Sequence, residues 1–306
     1  MWYIIANPAA GKGLLQQQWP LYERRLQENG VAYTIQFTRH PGHGARLVQD
    51  AILKGHRRII GMGGDGSHHD ILNGILSQTE VPSQEVWYAP FPAGSGNDWA
   101  RTWDIPHDPQ QRIARLLQPQ VRLQDAGKIS LLTPEGTPTE RWFINVAGMA
   151  YDAEVVRRML EDGISSGNRF RYILAVARYL MEYEPVKATV IADRHEPRTD
   201  YFYTINAGIC RYSGGGMQIV PHAVPDDGLL AVTLAQKMPK WEVLAQTPRF
   251  YNGSLLKHPK VAGHQNHSLT VLPADDRPVW VEADGEFLGK CPAVFTLLEK
   301  AISVVL

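Results

Sequence analysis

The sequence predicts two domains: an N-terminal α/β domain built on a parallel sheet, then a β-rich domain. Three observations carry this reading. A chain of 306 residues is longer than one hydrophobic core usually serves. Its first third alternates short apolar runs with amphipathic stretches, the pattern of repeated βα units. Beyond about Asp125 that alternation gives way to strand-like runs separated by turns.

Taken in order, Tyr3–Ala6 is a short apolar run stopped by Asn7-Pro8 and predicts a strand. Leu14 to Asn29 has a helical pattern with Gly30 as its stop. Tyr33–Thr38 is the second strand. Ala45, Leu47, Val48, Ala51 and Ile52 fall on one helical face that Gly55 closes. Arg58–Met62, Ser67–Leu76 and Val86–Pro90 continue as strand, helix and strand. Such units imply a parallel sheet covered on both faces. In the second half, Ile129–Leu132, Trp142–Val146, Lys187–Ile191, Tyr201–Ala207, Leu229–Leu234 and Val279–Ala283 read as strands, with one strong helix at about Arg169–Glu184. The linker is expected near Gly127–Glu140. The last segment, residues 293–306, reads as a strand pair that either domain can accept. The expected division is therefore 1–126 and 127–292, with 293–306 a candidate to return to the first domain.

Composition narrows the function classes. Lys plus Arg equals Asp plus Glu, at 31 each, which argues against a nucleic-acid binder. Cys210 and Cys291 are the only cysteines, too few and too far apart for a metal set or a disulfide framework, so a reducing cytosolic setting is expected. No apolar run reaches the roughly 18 residues that span a bilayer. The N-terminus lacks the basic start of a secretion signal.

Three glycine-rich loops follow predicted strands: Asn7–Gly13, Gly61–Ser67 and Pro92–Asp98. In a parallel sheet the carboxyl ends of the strands share one edge, so these loops converge where open α/β sheets bind ligands. Glycine lets backbone N–H groups approach phosphate oxygens, and helix N-termini favour anions. Tight turns without a ligand are the plain alternative. The Walker pattern fails, because Ala6 and Gly13 stand where it needs Gly and Ser or Thr. Gly61-x-Gly63-x-x-Gly66 matches the dinucleotide fingerprint but follows the third strand and contains Asp65. A carboxylate beside a pyrophosphate needs a cation between them, which fits Mg²⁺-assisted phosphoryl transfer.

Asn7-Pro8 with Gly11, the run Gly63-Gly64-Asp65-Gly66-Ser67, and Gly94-Ser95-Gly96-Asn97-Asp98 with Ala100-Arg101 resemble the diacylglycerol kinase catalytic-domain family, which includes bacterial lipid kinases and sphingosine kinases. The resemblance continues through Asp125, Asn145–Asp152, Arg171-Tyr172-Ile173 and Pro221–Leu229 to Asp284-Gly285-Glu286, and so spans almost the whole chain in order. It implies an ATP site formed by Asn7, Thr38, Gly63, Gly64, Asp65, Gly66, Ser67, His68, His69, Gly94, Ser95 and Asn97. Ser67 and Ser95 stand where the family usually has threonine and keep the hydroxyl; capping the following helices is their bland role. His69 and Asp70 replace the usual Asn and Glu. The run His68-His69-Asp70 also raises a metal reading, against which neighbouring helix residues do not share a face; a solvated helix start is the expectation.

The resemblance further implies that Asp284-Gly285-Glu286 supplies the base that accepts the lipid hydroxyl's proton. Glu286 is favoured, with Asp284 its rival or partner; a polar hairpin turn is the plain reading. It implies a structural Mg²⁺ at Asp227 with the carbonyls of Val224 and Leu229, where a Pro-Asp-Gly turn is equally legible. Asp98 and Asp125 match acids of the family's active-site Mg²⁺ network, and Asp65 is counted among the catalytic residues.

The combined expectation is a nucleotide-binding domain joined to a β-sandwich lipid-substrate domain. It would transfer the γ-phosphate of ATP to a hydroxyl of a diacylglycerol-like membrane lipid, in phospholipid metabolism. The protein would be cytoplasmic, meeting the inner membrane face transiently, with some of its 8 Trp and 12 Tyr either at that rim or in the core. A homodimer is compatible with all of this. An NAD kinase-like enzyme and a non-catalytic nucleotide- or lipid-binding regulator are the rival readings.

Overall fold

The computed structural model describes residues 1–164, 169–193 and 195–306; the side chains of Arg171, Tyr172 and Ile173 lie outside the described residues. The fold is mixed α/β. The chain forms two compact units, Met1–Ala126 with Glu299–Leu306, and Gly127–Leu298.

In the first unit β1 (Trp2–Ala6), α1 (Leu14–Glu28), β2 (Tyr33–Phe37), α2 (His43–Leu53), β3 (Arg58–Gly63), α3 (Asp65–Ser77), β4 (Trp87–Pro92), α4 (Asp98–Thr102) and α5 (Pro109–Leu117) follow one another. β1 pairs in parallel with β2 and β3, and β3 in parallel with β4. Every residue of β1 is buried, as an inner strand covered on both faces requires. Its core joins Ile4, Ile60 and Phe91 of the sheet to Leu15, Tyr22 and Leu26 of α1.

The second unit takes in the second half of β5 (Val121–Leu132), then β6 (Pro138–Phe143), β7 (Val146–Ala150), α6 (Tyr151–Glu161), α7 (Arg169–Glu182), β8 (Val186–Ala192), β9 (Arg198–Gly208), the short pair β10 (Tyr212–Ser213) and β11 (Met217–Gln218), β12 (Leu230–Gln236), α8 (Lys240–Ala245), α9 (Thr247–Asn252), β13 (Val261–Asn266), β14 (Ser268–Pro273), β15 (Trp280–Ala283) and the first part of β16 (Glu286–Val305).

Three sequence expectations need correcting. The strands expected to form a sandwich close into an antiparallel ring instead: β9 to β7, β15, β16, β14, β8 and back to β9. The cause is the length of two strands. β9 pairs with β8 along Arg198–Phe202 and with β7 along Thr204–Gly208, and β16 pairs with β15 and then with β14. The expected linker at Gly127–Glu140 is a hairpin, with Gly127 opposite Phe143 and Leu132 opposite Pro138; only its turn, where Gly136 has φ 97°, is unpaired. The expected strand pair at 293–306 is the continuation of β16. That run has no glycine, proline or asparagine to reverse it, and bends only at Lys300, where φ is 50°. Beyond that bend Ser303 and Val304 pair in parallel with Trp87 and Tyr88 of β4, extending the first unit's sheet.

Gly61 shows how tightly this sheet is covered. An ideal Cβ there would stand 1.9 Å from the Tyr88 hydroxyl oxygen. Tyr88 is fully buried and its hydroxyl meets His68 Nδ1 at 2.6 Å, so it cannot swing aside. Gly61→Ala should lower stability by about 1–3 kcal/mol, read as a lower urea midpoint with unchanged slope. An unchanged midpoint would contradict this packing.

Candidate functional site

The first unit brings its strand ends to one edge through backbone geometry. Ala6 stands level with Phe37 and with Met62, and Gly63 with Pro92. Past those positions Asn7 N–H donates to Met62 O (2.8 Å), Thr38 N–H to Ala6 O (2.9 Å) and Ala93 N–H to Gly63 O (2.7 Å). The three glycine loops and Thr38 are therefore adjacent. An ideal Cβ on Gly94 would stand 2.6 Å from Gly64 Cα, and one on Gly11 would stand 2.6 Å from Ala93 O. Glycine at 64 and 94 lets two loops touch backbone to backbone.

Side chains lock this edge. Asn7 Nδ2 donates to Ser67 Oγ (3.0 Å) while Asn7 Oδ1 accepts from Ala9 N–H (3.1 Å). Asn97, at φ 52°, accepts from Gly94 N–H and donates to Gly94 O, both at 2.9 Å, so its amide holds the third loop closed. Ser95 is exposed in that loop. Asp65 opens α3 and accepts Trp99 N–H at 3.4 Å. Burial first, then the neighbouring Asp98 carboxylate, push Asp65 up to about 6, against backbone N–H groups of α4 that favour its ionised form. The position of an ideal Cβ on Gly96 lies 3.0 Å from Asp65 Oδ2 and 3.6 Å from Asp98 Oδ2, so the two acids face one small space.

Other expected members stand elsewhere. The expected solvated helix start at His68-His69-Asp70 is buried at both histidines, because this end of α3 lies against the sheet and α4. His68 is packed on Tyr88 and Trp99, and burial holds it down at about 3, so its ring is neutral. His69 Nε2 lies 3.2 Å from Asn73 Nδ2. Both rings line the interior. Asp125 is buried and accepts Lys300 N–H at 2.7 Å, tying β5 to the returning end of β16.

In the second unit Asp284-Gly285 is the two-residue turn between β15 and β16, with positive φ at both residues (53° and 85°). That is the turn a two-residue hairpin favours. Asp284 also accepts three backbone N–H groups, from Ile144 (3.0 Å), Asn145 (3.0 Å) and Val146 (3.2 Å). Glu286 is exposed. In the loop before β12, Asp227 accepts from Leu229 N–H (3.0 Å) and Gln265 Nε2 (3.3 Å), the arrangement of an Asx turn. Among the described residues, no group of three or more His, Cys, Asp or Glu is placed to hold a metal.

Residues 1–129 match the diacylglycerol kinase catalytic domain, and residues 145–306 match the YegS C-terminal NAD kinase beta sandwich-like domain. The chain belongs to the diacylglycerol kinase catalytic-domain family. A diacylglycerol kinase of Mycobacterium tuberculosis is 27% identical over 303 residues, 98% of this chain and 93% of that protein. One from Staphylococcus aureus is 25% identical over 301 residues, 98% of this chain and 90% of that one. A crystal structure of a diacylglycerol kinase from Bacillus anthracis superposes with a TM-score of 0.74 at 19% identity, over 99% of this chain and 96% of that one, a likeness of fold.

Asp70 accepts Gly44 N–H at 2.8 Å and so fastens the start of α2 to α3. An ideal Cβ on Gly44 would lie 2.8 Å from that carboxylate, so the short acid and the glycine fit each other.

Sequence reasoning missed Glu282, an acid in the buried strand β15. Its Oε2 accepts Gly285 N–H at 2.9 Å, and an ideal Cβ on Gly148 would lie 2.5 Å from its Oε1 and 2.8 Å from Asp152 Cβ. Asp152 in turn accepts from Thr204 Oγ1 at 2.6 Å. The available signal was a lone carboxylate amid Val279-Trp280-Val281 and Ala283. Burial first, then the Asp152 carboxyl, raise Glu282 well above the usual carboxylate range; burial raises Asp152 too. The folded protein thus keeps a proton at Glu282 that the unfolded chain releases. The stability tied to it is complete below about pH 4.3 and is lost as pH rises toward the folded value. Glu282→Gln should therefore lose less stability than the parent as pH is raised above about 4.3. Thermal melts across that range check it, and parallel profiles would contradict it.

Proposed function

We propose that the protein is an ATP-dependent lipid kinase, which transfers the γ-phosphate of ATP to a hydroxyl of a diacylglycerol-like membrane lipid. The observation that carries this reading is the meeting of three glycine loops at one sheet edge around Asp65, in a chain of this family. In this reading the first unit binds the nucleotide and the second supplies the lipid-side chemistry. Among the described residues no helix is long and apolar enough to cross a membrane, so the lipid would be met at the bilayer surface.

The loops' contribution is positional. Backbone N–H groups at Asp65–Gly66 and Ser95–Gly96, with the N-terminus of the 13-residue α3, form an anion-favouring edge. Asn7 and Asn97 keep that edge rigid, and Ser67, Ser95 and Thr38 add hydroxyls to it. The donor chemistry at Asp65 and Asp98 fits Mg²⁺. Both are carboxylates, both face one space, and their mutual repulsion is what a hard divalent cation relieves. When bound, Mg²⁺ neutralises charge on the transferring phosphate. At Asp227, with Val224 and Leu229, the Asx turn accounts for the carboxylate, and no step is routed through a metal there.

A lipid hydroxyl needs a proton acceptor as it attacks. Glu286 is our candidate. Asp284 has both oxygens on the backbone of Ile144–Val146, an arrangement that holds the turn and suits a positioning residue. On this reading Glu286→Gln lowers kcat on the order of 10²-fold or more with little change in ATP affinity. Asp284→Asn instead lowers thermal stability together with activity. Equal kcat in Glu286→Gln and parent would move the base elsewhere.

The substrate class is tested by assaying diacylglycerol, phosphatidylglycerol, a sphingoid base and NAD side by side with labelled ATP and Mg²⁺, using folded Asp65→Asn as the negative control. Labelled lipid from the parent and a loss on the order of 10²-fold or more in Asp65→Asn are expected. Phosphorylation of NAD without any lipid product would overturn the reading.

A further inference from the structure

Two helices of the second unit are built against the rule that a helix in water buries one face. Neither α8 nor α9 contains a buried residue, whereas every other described α-helix does. Three of their large side chains face outward. Trp241 is 71% exposed, Leu244 46% and Tyr251 47%. Trp241 and Leu244, three apart, share one face of α8.

One apolar anchor, Phe250 of α9, packs on Val146, Ile219, Val220, Ala223 and Ala231, and the remaining fastenings are polar. Lys240 Nζ donates to Met181 O (2.6 Å) and meets Glu184 (3.2 Å), Gln218 Nε2 donates to Tyr251 O (3.3 Å), and buried His258 meets Glu242 at 3.1 Å. Charge is the second observation. Across residues 237–260 there are five cations, Lys237, Lys240, Arg249, Lys257 and Lys260, and one acid, Glu242, in a chain whose formal net charge is zero. That acid is already engaged by His258 and Lys260.

We infer that the segment Lys237–Lys260 is the surface by which the protein seats itself on an anionic phospholipid bilayer. This rests on the lipid-kinase reading only for the choice of partner. Tryptophan and tyrosine settle at the headgroup level, where an apolar body and a polar edge are both accommodated. Clustered lysines and arginines are drawn to anionic headgroups, each worth about fivefold in affinity. The neutral chain as a whole has no such pull, so this local excess decides where contact occurs. A second copy on the same patch would set two such cationic segments face to face, which like-charge repulsion disfavours.

The experiment is sedimentation of the full-length protein with vesicles of phosphatidylcholine alone or with added phosphatidylglycerol. Stronger binding to the anionic vesicles, weakened by salt, is expected. Trp241→Ser should reduce binding about tenfold, and Lys237→Ser with Lys257→Ser about twentyfold. Melting temperature, and turnover on a water-soluble short-chain diacylglycerol, should stay at the parent's values. Vesicle binding indifferent to these substitutions overturns the inference, as does loss of self-association or of an acidic protein partner in their place. Substitution-sensitive binding without lipid phosphorylation would leave the docking surface standing and remove the kinase reading. Lipid phosphorylation with indifferent binding would do the reverse.

Discussion

Gly64 and Gly94 meet with no side chain between them, and the arrangement of the first unit's loops depends on that contact. A methyl group on Gly94 would stand 2.6 Å from Gly64 Cα and force the loops after β3 and β4 to shift, and Asp65 lies in the first of them, accepting from Trp99 N–H beyond the second. The contact therefore creates a buried acid pair, at a cost. Raising Asp65 from an ordinary 3.8 to about 6 corresponds to about 3 kcal/mol. The N–H groups at the start of α4 offset part of that burden, through a contact as long as 3.4 Å. In the proposed function that uncompensated charge is what Mg²⁺ would neutralise.

The second unit treats its acids in a contrasting way. Asp284 and Glu282 lie two residues apart, yet one carboxylate is saturated by three backbone N–H groups and the other is enclosed beside Asp152. Asp284-Gly285 is the turn, and the acid motif belongs to the proposed function. The aspartate makes the turn and fixes Ile144–Val146, and the same turn presents Glu286 to solvent.

The βα alternation of the first unit was legible because β1, β3 and β4 are short runs rich in apolar residues and α1 and α2 stop beside Gly30 and Gly55. The loop edge was legible for the same reason, since glycine spacing after a strand reports backbone proximity. The ring of the second unit was not. β9 passes from β8 to β7 along its length and β16 from β15 to β14 and on to β4, and a sequence carries no mark where a strand exchanges one neighbour for another. Burial of His68 and His69 was also hidden. Adjacent polar residues at a helix start resemble a solvated turn, and only tertiary packing on Tyr88 and Trp99 says otherwise. Glu282 escaped because a single carboxylate in an apolar strand looks like an outward-facing residue until the opposite wall is known.

The first unit is discontinuous, and this bears on how the protein comes off the ribosome. Ala301, Ile302, Val304 and Val305 are buried in a unit whose other residues end at Ala126. Residues 127–298 are translated in between. At roughly 5–20 residues per second that is an interval of about 10–30 s. For that time β4 is paired only with β3 and lacks its second parallel neighbour, so a strand edge stays open. A nascent chain in this condition is a natural client for a holding chaperone, and the second unit, complete at Leu298, is finished before the first.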